Sequence, residues 1–322
     1  MKSKKSKTSD VKSISFLTLI NIFGGGLAVV SSVIQAYLFG ITREIEVFFA
    51  VITINQVLLK LTQTGSISSI FLPIYHQVKA KYGQDKAQIS FGILLNWCCI
   101  FSTGIIVIIG ILAHYLIPII MPGFSSEDMQ LGLSFYYVII FFLPFQVMSV
   151  LFKIPLNAER VYGRAEIIGI SNRIFSLVFL LSTYKFLGIW ALVYALCLGY
   201  VFQFILFLIL MWKQKLKYKP LLKVSYFNPF SVFGQVLNSL IYAGSTQIYT
   251  IALNAAITLL PEGYFAVYKY TSNIFSKTNG IILRPVTTVF FTNFSEAINS
   301  GYLKLKRILE TAIKQNISLT LF

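Results

Sequence analysis

Apolar runs of about 20 residues, the length a helix needs to cross a bilayer, recur from one end of this chain to the other. Wound at ~1.5 Å per residue, such a run spans the ~30 Å hydrocarbon layer. The runs do not alternate polar and apolar residues, which excludes a membrane β-barrel. Composition agrees, with 56% apolar residues, 12% charged residues and a mean hydropathy of +0.75. A soluble domain is nearer ~45–50% apolar and ~25% charged. The chain is therefore expected to be an all-α polytopic membrane protein. Its N-terminus, MKSKKSK, leads into a long first run with no small-residue cleavage site, so this run reads as an uncleaved span.

Spans are expected at 13–38, 46–75, 89–117, 131–152, 165–183, 188–212, 229–260 and 263–293, with a ninth segment starting near Arg307. That last segment meets Phe322 before reaching span length, as a fragment or a truncated reading frame would. Span one carries Gly24, Gly25 and Gly26, which weaken a helix and permit a bend or close approach. The segment 118–130, PIIMPGFSSEDMQ, reads as a turn-rich loop without Lys or Arg, and 213–223, KQKLKYKPLLK, as a basic linker. With the N-terminus inside, 19 basic residues fall on the cytoplasmic side and only Arg43 and Lys185 outside. This is the asymmetry of the positive-inside rule, and it accounts for the net charge of +16 without nucleic acid.

Six basic residues remain inside expected spans: Lys60, Arg173, Lys269, Lys277, Arg284 and Lys314. A cation at membrane depth is costly unless it faces a wet cavity or snorkels to the interface. Lys60 lies in the second run, just before a polar break at Thr62, Gln63, Thr64, Gly65 and Ser66. Lys269, Asn273 and Lys277 share one helical face and read as a cavity wall that Arg284 extends. Arg173 follows Asn172 and reads either as cavity wall or as an interface anchor. Glu46 opens span two, either as a carboxylate favoured by the helix dipole or as a gating or coupling group. Gln235, Asn238, Gln247 and Asn254 dot span seven as interhelical hydrogen-bond partners. Cys98, Cys99 and Cys197 read as buried apolar side chains, and His76 and His114 have no partner at ligand spacing. No phosphate-loop, HExxH or GxSxG motif is present, so neither an enzyme nor a cofactor is expected.

Three stretches together resemble a known family. Leu38-Phe39-Gly40, Glu46-Val47-Phe48-Phe49-Ala50 and the run Gly65 to Tyr75 look like its FG…DAFF.A…EGAFSQAFVP hairpin. Pro118 to Phe124 looks like its AP…APGF loop, and Ala191, Tyr194, Gly199 and Gln203 look like its sixth-span pattern. The family is the MurJ/MviN lipid II flippases, within the multidrug/oligosaccharidyl-lipid/polysaccharide (MOP) exporters. The resemblance implies a two-lobed bundle of about fourteen spans, of which this chain holds about eight or nine. Residues 1–212 would form the first six-span lobe, 213–228 a cytoplasmic linker and 229–322 the start of the second lobe. It further implies a flippase of the bacterial cytoplasmic membrane, whose partners are membrane lipids and a polyprenyl-pyrophosphate-linked saccharide held by cavity cations. Family arginine positions fall here on Gly25, Ser31 and Lys60, and the hairpin aspartate on Glu46. That departure points toward a lipid-linked oligosaccharide other than lipid II. An O-antigen or capsule exporter, a drug antiporter of the same superfamily, and a non-transporting scaffold or remnant are the rival readings.

Overall fold

The computed structural model describes residues 2–62, 66–159, 161–216, 218–278 and Glu310. Among these, ten helices carry the fold and the only bridge pairs Val224 with Phe227. They are α1 (Lys2–Phe39), α2 (Arg43–Thr62), α3 (Ser66–Tyr82), α4 (Gln84–Ile111), α5 (Ala113–Ile120), α6 (Ser126–Ala158), α7 (Tyr162–Leu187), α8 (Trp190–Lys213) and α9 (Pro229–Thr258), followed by α10 at 264–278. Among the described residues, five stretches, within α1, α4, α6, α7 and α8, are long and apolar enough to cross a bilayer. The chain is a multi-pass helical membrane protein. Residues 34–269 form one compact unit, and residues 1–33 with 270–322 form another.

The first unit is built around α6, which receives α2, α3, α4, α5, α7 and α8. Its two ends can be told apart from side-chain contacts. At one end the start of α2 meets the start of α6, where Arg43 Nε lies 3.9 Å from Asp128 Oδ2. At the other, Lys79 near the end of α3 pairs at 2.8 Å with Glu159, just past α6, and Tyr75 donates to the same carboxylate. So α2 and α3 together travel the length that α6 covers alone, and the expected second span is one crossing made of two helices. The polar break at 63–65 lies outside the described residues.

Aromatic packing fills the unit. Phe71 meets Phe91 and Phe227, Phe135 meets Trp190 edge-on at 4.8 Å, and Phe204 lies between Phe145 and Phe152. Helices α7 and α8 approach closely at Gly199, where an added Cβ would stand 2.3 Å from Ser176 Oγ. Beside it Ser176 donates to the Ala195 carbonyl, and Gln203 reaches the Ile168 and Gly169 carbonyls. This sews an apolar helix pair together with side chain to backbone bonds.

Helix α1 runs through Gly24, Gly25 and Gly26, within the expected first span. Two boundaries differ from expectation. The third span does not stop at Pro118. It is interrupted at Leu112, and Pro118 lies inside α5. A proline ring crowds the carbonyl four residues earlier, here His114, so the irregularity falls upstream of the proline. The expected loop 118–130 is correspondingly short, because Ser125 and Asp128 bond reciprocally and start α6 at once. The remainder of the eighth span, Arg284, the ninth segment apart from Glu310, and the side chains of Gln235 and Asn238 lie outside the described residues.

Candidate functional site

Helix α2 places the site. Its first turns, Ile45 to Val51, are buried on every side, because α6 and α9 flank them. Glu46 is fully buried there, at 0% exposed. Its Oε2 accepts from Arg43 Nη1 at 2.8 Å, as a salt bridge within the first turn of α2. Its Oε1 accepts from the backbone N–H groups of Gly263 and Ala266, at 3.0 and 3.1 Å. These are orphan amides at the start of α10, where the helix dipole favours an anion.

The arrangement is reciprocal. The backbone N–H of Arg43, at the start of α2, donates at 2.9 Å to Glu262 Oε1. Each helix start is thus capped by the other's carboxylate, which clasps α2 to the turn before α10. Arg43 adds a face contact to Phe124 at 4.7 Å. Backbone fit is close on both sides of the clasp. A Cβ at Gly123 would fall 2.0 Å from the Thr258 carbonyl oxygen, so the Pro122-Gly123-Phe124 turn lies against the end of α9. Gly263 has φ of 93°, and a Cβ there would press on Ile41 at 3.1 Å. Glu46 thus lies at the starts of both α2 and α10, and both helix dipoles favour its negative charge.

Two lysines converge farther along α2. Lys269 Nζ donates to Thr53 Oγ1 at 2.7 Å and stands 5.2 Å from the Phe265 ring centroid. Thr53 is buried and bonds back to the Phe49 carbonyl at 2.9 Å. Lys60, two turns beyond Thr53, is exposed and near enough for its charge to act on Lys269. By helical rise it stands about 25 Å from Arg43, about half of the ~50 Å that the 33 residues of α6 cover. Lys269 is half-buried. Two ammonium groups of like sign, held near one another, form a place for a divalent or multivalent anion.

The other expected site residues are distributed more widely. Asn273 and Lys277 lie four and eight residues past Lys269 on α10, half-buried and exposed respectively, within the second unit. Arg173 is exposed on α7, whose partners are α8 and α6. Gln247 and Asn254 are buried on α9, with Gln247 bonded to Thr246 and Asn254 to the Thr250 carbonyl. No group of three or more His, Cys, Asp or Glu residues suited to a metal occurs among the described residues. Thr53, Arg43 and Glu262 were not expected at the site. Only Glu262 carried a signal, as the acid of a Pro-Glu-Gly helix start.

Comparison with known proteins places this geometry. A probable lipid II flippase MurJ from Buchnera aphidicola subsp. Schizaphis graminum is 24% identical over 317 residues, covering 96% of this chain and 60% of that protein. One from Aquifex aeolicus is 26% identical over 186 residues, 56% of this chain and 36% of that protein. This chain thus spans about three-fifths or less of the length of these curated relatives. Among solved structures, a lipid II flippase MurJ in an inward closed conformation matches with a TM-score of 0.76 at 18% identity, over 93% of this chain and 62% of that one. An inward-facing multidrug resistance MATE family transporter of the MOP superfamily matches at 0.67, with 18% identity, over 91% and 66%. Both likenesses fix the fold. The family model for the lipid II flippase MurJ matches residues 35–322, and the chain belongs to that family.

Proposed function

We propose that this chain handles cargo in a flippase that carries a polyprenyl-pyrophosphate-linked saccharide, lipid II or a near chemical relative, across the bacterial cytoplasmic membrane. The observation that carries this reading is Lys269 bonded to Thr53, with Lys60 two turns farther along α2, both beyond the clasp that closes one end of the unit. In this reading the N-terminus and the lysine-rich end face the cytoplasm, and the clasped end faces outward. Residues 1–212 serve as the first lobe, 213–228 as the linker and 229–322 as the start of the second lobe.

No bond of the cargo is made or broken, so the protein's work is binding and gating. Exposed Lys60 meets the pyrophosphate first, and half-buried Lys269 follows, exchanging its bond to Thr53 for a phosphate oxygen. At an effective dielectric of 20, a unit charge pair at 4 Å gains about 4 kcal/mol, enough for each lysine to decide binding. Asn273, Lys277 and Arg173 are further candidate contacts for the headgroup, and the prenyl tail stays in lipid. Opening the other end requires Glu46 and Glu262 to leave their helix starts, which makes the clasp the outward gate of an alternating-access cycle. Two cations at the centre disfavour export of cationic drugs. Lysine makes point contacts where arginine would fork onto phosphate, so a phosphate held here is less rigidly oriented.

Equilibrium binding of a polyprenyl-pyrophosphate-linked disaccharide to the purified chain in nanodiscs tests the proposal. Lys60→Ala and Lys269→Ala should each weaken binding by about tenfold, a loss of about 1.4 kcal/mol, while the free prenyl alcohol is unaffected. Unchanged affinity in both variants would sink the reading.

A further inference from the structure

The linker after α8 is fixed along α4 as a strap. Asn96 Nδ2 donates to the Leu221 carbonyl at 2.8 Å, and Trp97 Nε1 donates to the Leu222 carbonyl at 2.9 Å. The Tyr218 hydroxyl donates to Asn96 Oδ1. Lys219 passes so near Gly92 that a Cβ there would stand 3.3 Å from its carbonyl oxygen. At the far end Phe227 is buried against Phe71, with ring centroids 5.9 Å apart. The backbone of the strap is therefore anchored on the protein, while much of its side-chain surface has no protein cover.

That surface has a distinct chemistry. Trp212 is 80% exposed, Tyr218 52%, Leu222 47% and Leu221 40%. Lys213, Lys215, Lys219 and Lys223 stand exposed among them. The chain holds no acidic residue from position 167 to 261, so nothing within this stretch neutralises these lysines. Trp212 closes a 24-residue apolar helix, which puts the strap at the depth where such a helix leaves the hydrocarbon. Aromatic and leucine side chains interleaved with lysines match an interface in which acyl chains begin on one side and phosphates lie on the other.

We infer that residues 212–216 and 218–223 form a binding surface for anionic phospholipid headgroups of the bilayer. Trp212, Leu221 and Leu222 enter the acyl boundary, and the four lysines meet the phosphates. The positive-inside rule needs lysines in number only. It gives no account of a backbone pinned by Asn96 and Trp97 that keeps leucines and lysines exposed together. The inference concerns bulk phospholipid and does not rest on the cargo reading.

Tryptophan emission of the full chain tests this in bilayers containing brominated phosphatidylglycerol or brominated phosphatidylcholine, without cargo. The Trp212 contribution is taken as the difference from Trp212→Phe. Each lysine near an anionic surface is worth about 1 kcal/mol, so the anionic lipid should quench Trp212 at least about threefold more than the neutral one. The preference should vanish in K213Q/K215Q/K219Q/K223Q and on raising salt, and survive replacement of the same lysines by arginine. Equal quenching by both lipids, or quenching by neither, would overturn the inference. So would a preference that persists in the glutamine variant.

Discussion

Glu46 is fully buried and held by three donors, Arg43 Nη1 and the amides of Gly263 and Ala266. Removing a buried acceptor leaves its donors without compensation, at about 1–3 kcal/mol, whereas an amide in its place still accepts. Glu46→Ala should therefore lower the thermal midpoint of the purified protein clearly, and Glu46→Gln by less. Glu262→Ala should act in the same direction, and the double variant should fall short of the sum, because the two carboxylates close one clasp. An Ala variant that melts like the parent would show that the carboxylate does not hold the two helix starts together. At this scale the sequence was informative where a residue broke an expectation. Lys60, Lys269 and Glu46 stand out as charges in apolar runs, and two of them meet partners across more than 200 positions. Thr53 could not be picked out, since a threonine in an apolar helix ordinarily bonds its own preceding turn, as this one also does.

At the scale of helices, the α7–α8 pair shows what a packing constraint looks like before any coordinates exist. Ala191, Gly199 and Gln203 fall on one strip of α8, and each is buried. Gly199 admits the Ser176 hydroxyl and the Asn172 carbonyl into the space a side chain would fill. Gly199→Val must force these atoms apart or rotate Ser176 out of its bond to Ala195, and overpacking of this kind costs about 1–3 kcal/mol. The expected result is a lower thermal midpoint, and Ser176→Ala in the same chain should recover part of the loss by clearing the nearest atom. If Gly199→Val melts as the parent does, the close approach is not real. The break at Leu112 was illegible for the opposite reason. A proline announces that a helix is disturbed, but the disturbance falls at the carbonyls it crowds, and their position depends on how α4 and α5 lean on α6. The division of one crossing into α2 and α3 was half legible, since the polar break is visible in sequence but the path of the chain across it is not.

For the whole molecule, direction in the membrane follows from the charges at its ends. Lys79, Lys153 and their partners Glu159 and Glu166 mark one end of the first unit, with the lysines of the α8 strap belonging to the same basic side by the count of loops. Glu46, Asp128 and Glu262 gather at the other, balanced by Arg43 alone among the bases paired there. Lysine and arginine near short loops hold a loop on the cytoplasmic side, whereas acidic residues contribute little, so the strap end should be retained and the clasp end exported. Alkaline phosphatase fused after Lys185 is then expected to be active, and the same enzyme fused after Lys215 inactive, with a cytoplasmic fluorescent reporter giving the reverse pattern. The consequence reaches the mechanism. In the proposed cycle, an anion entering at the strap end would meet Lys60 before Lys269 and reach the clasp last, where Glu46 already holds Arg43 and the Gly263 and Ala266 amides. If the fusions report the opposite orientation, the same residues would instead govern uptake from outside, and the order of contacts along α2 would run in reverse.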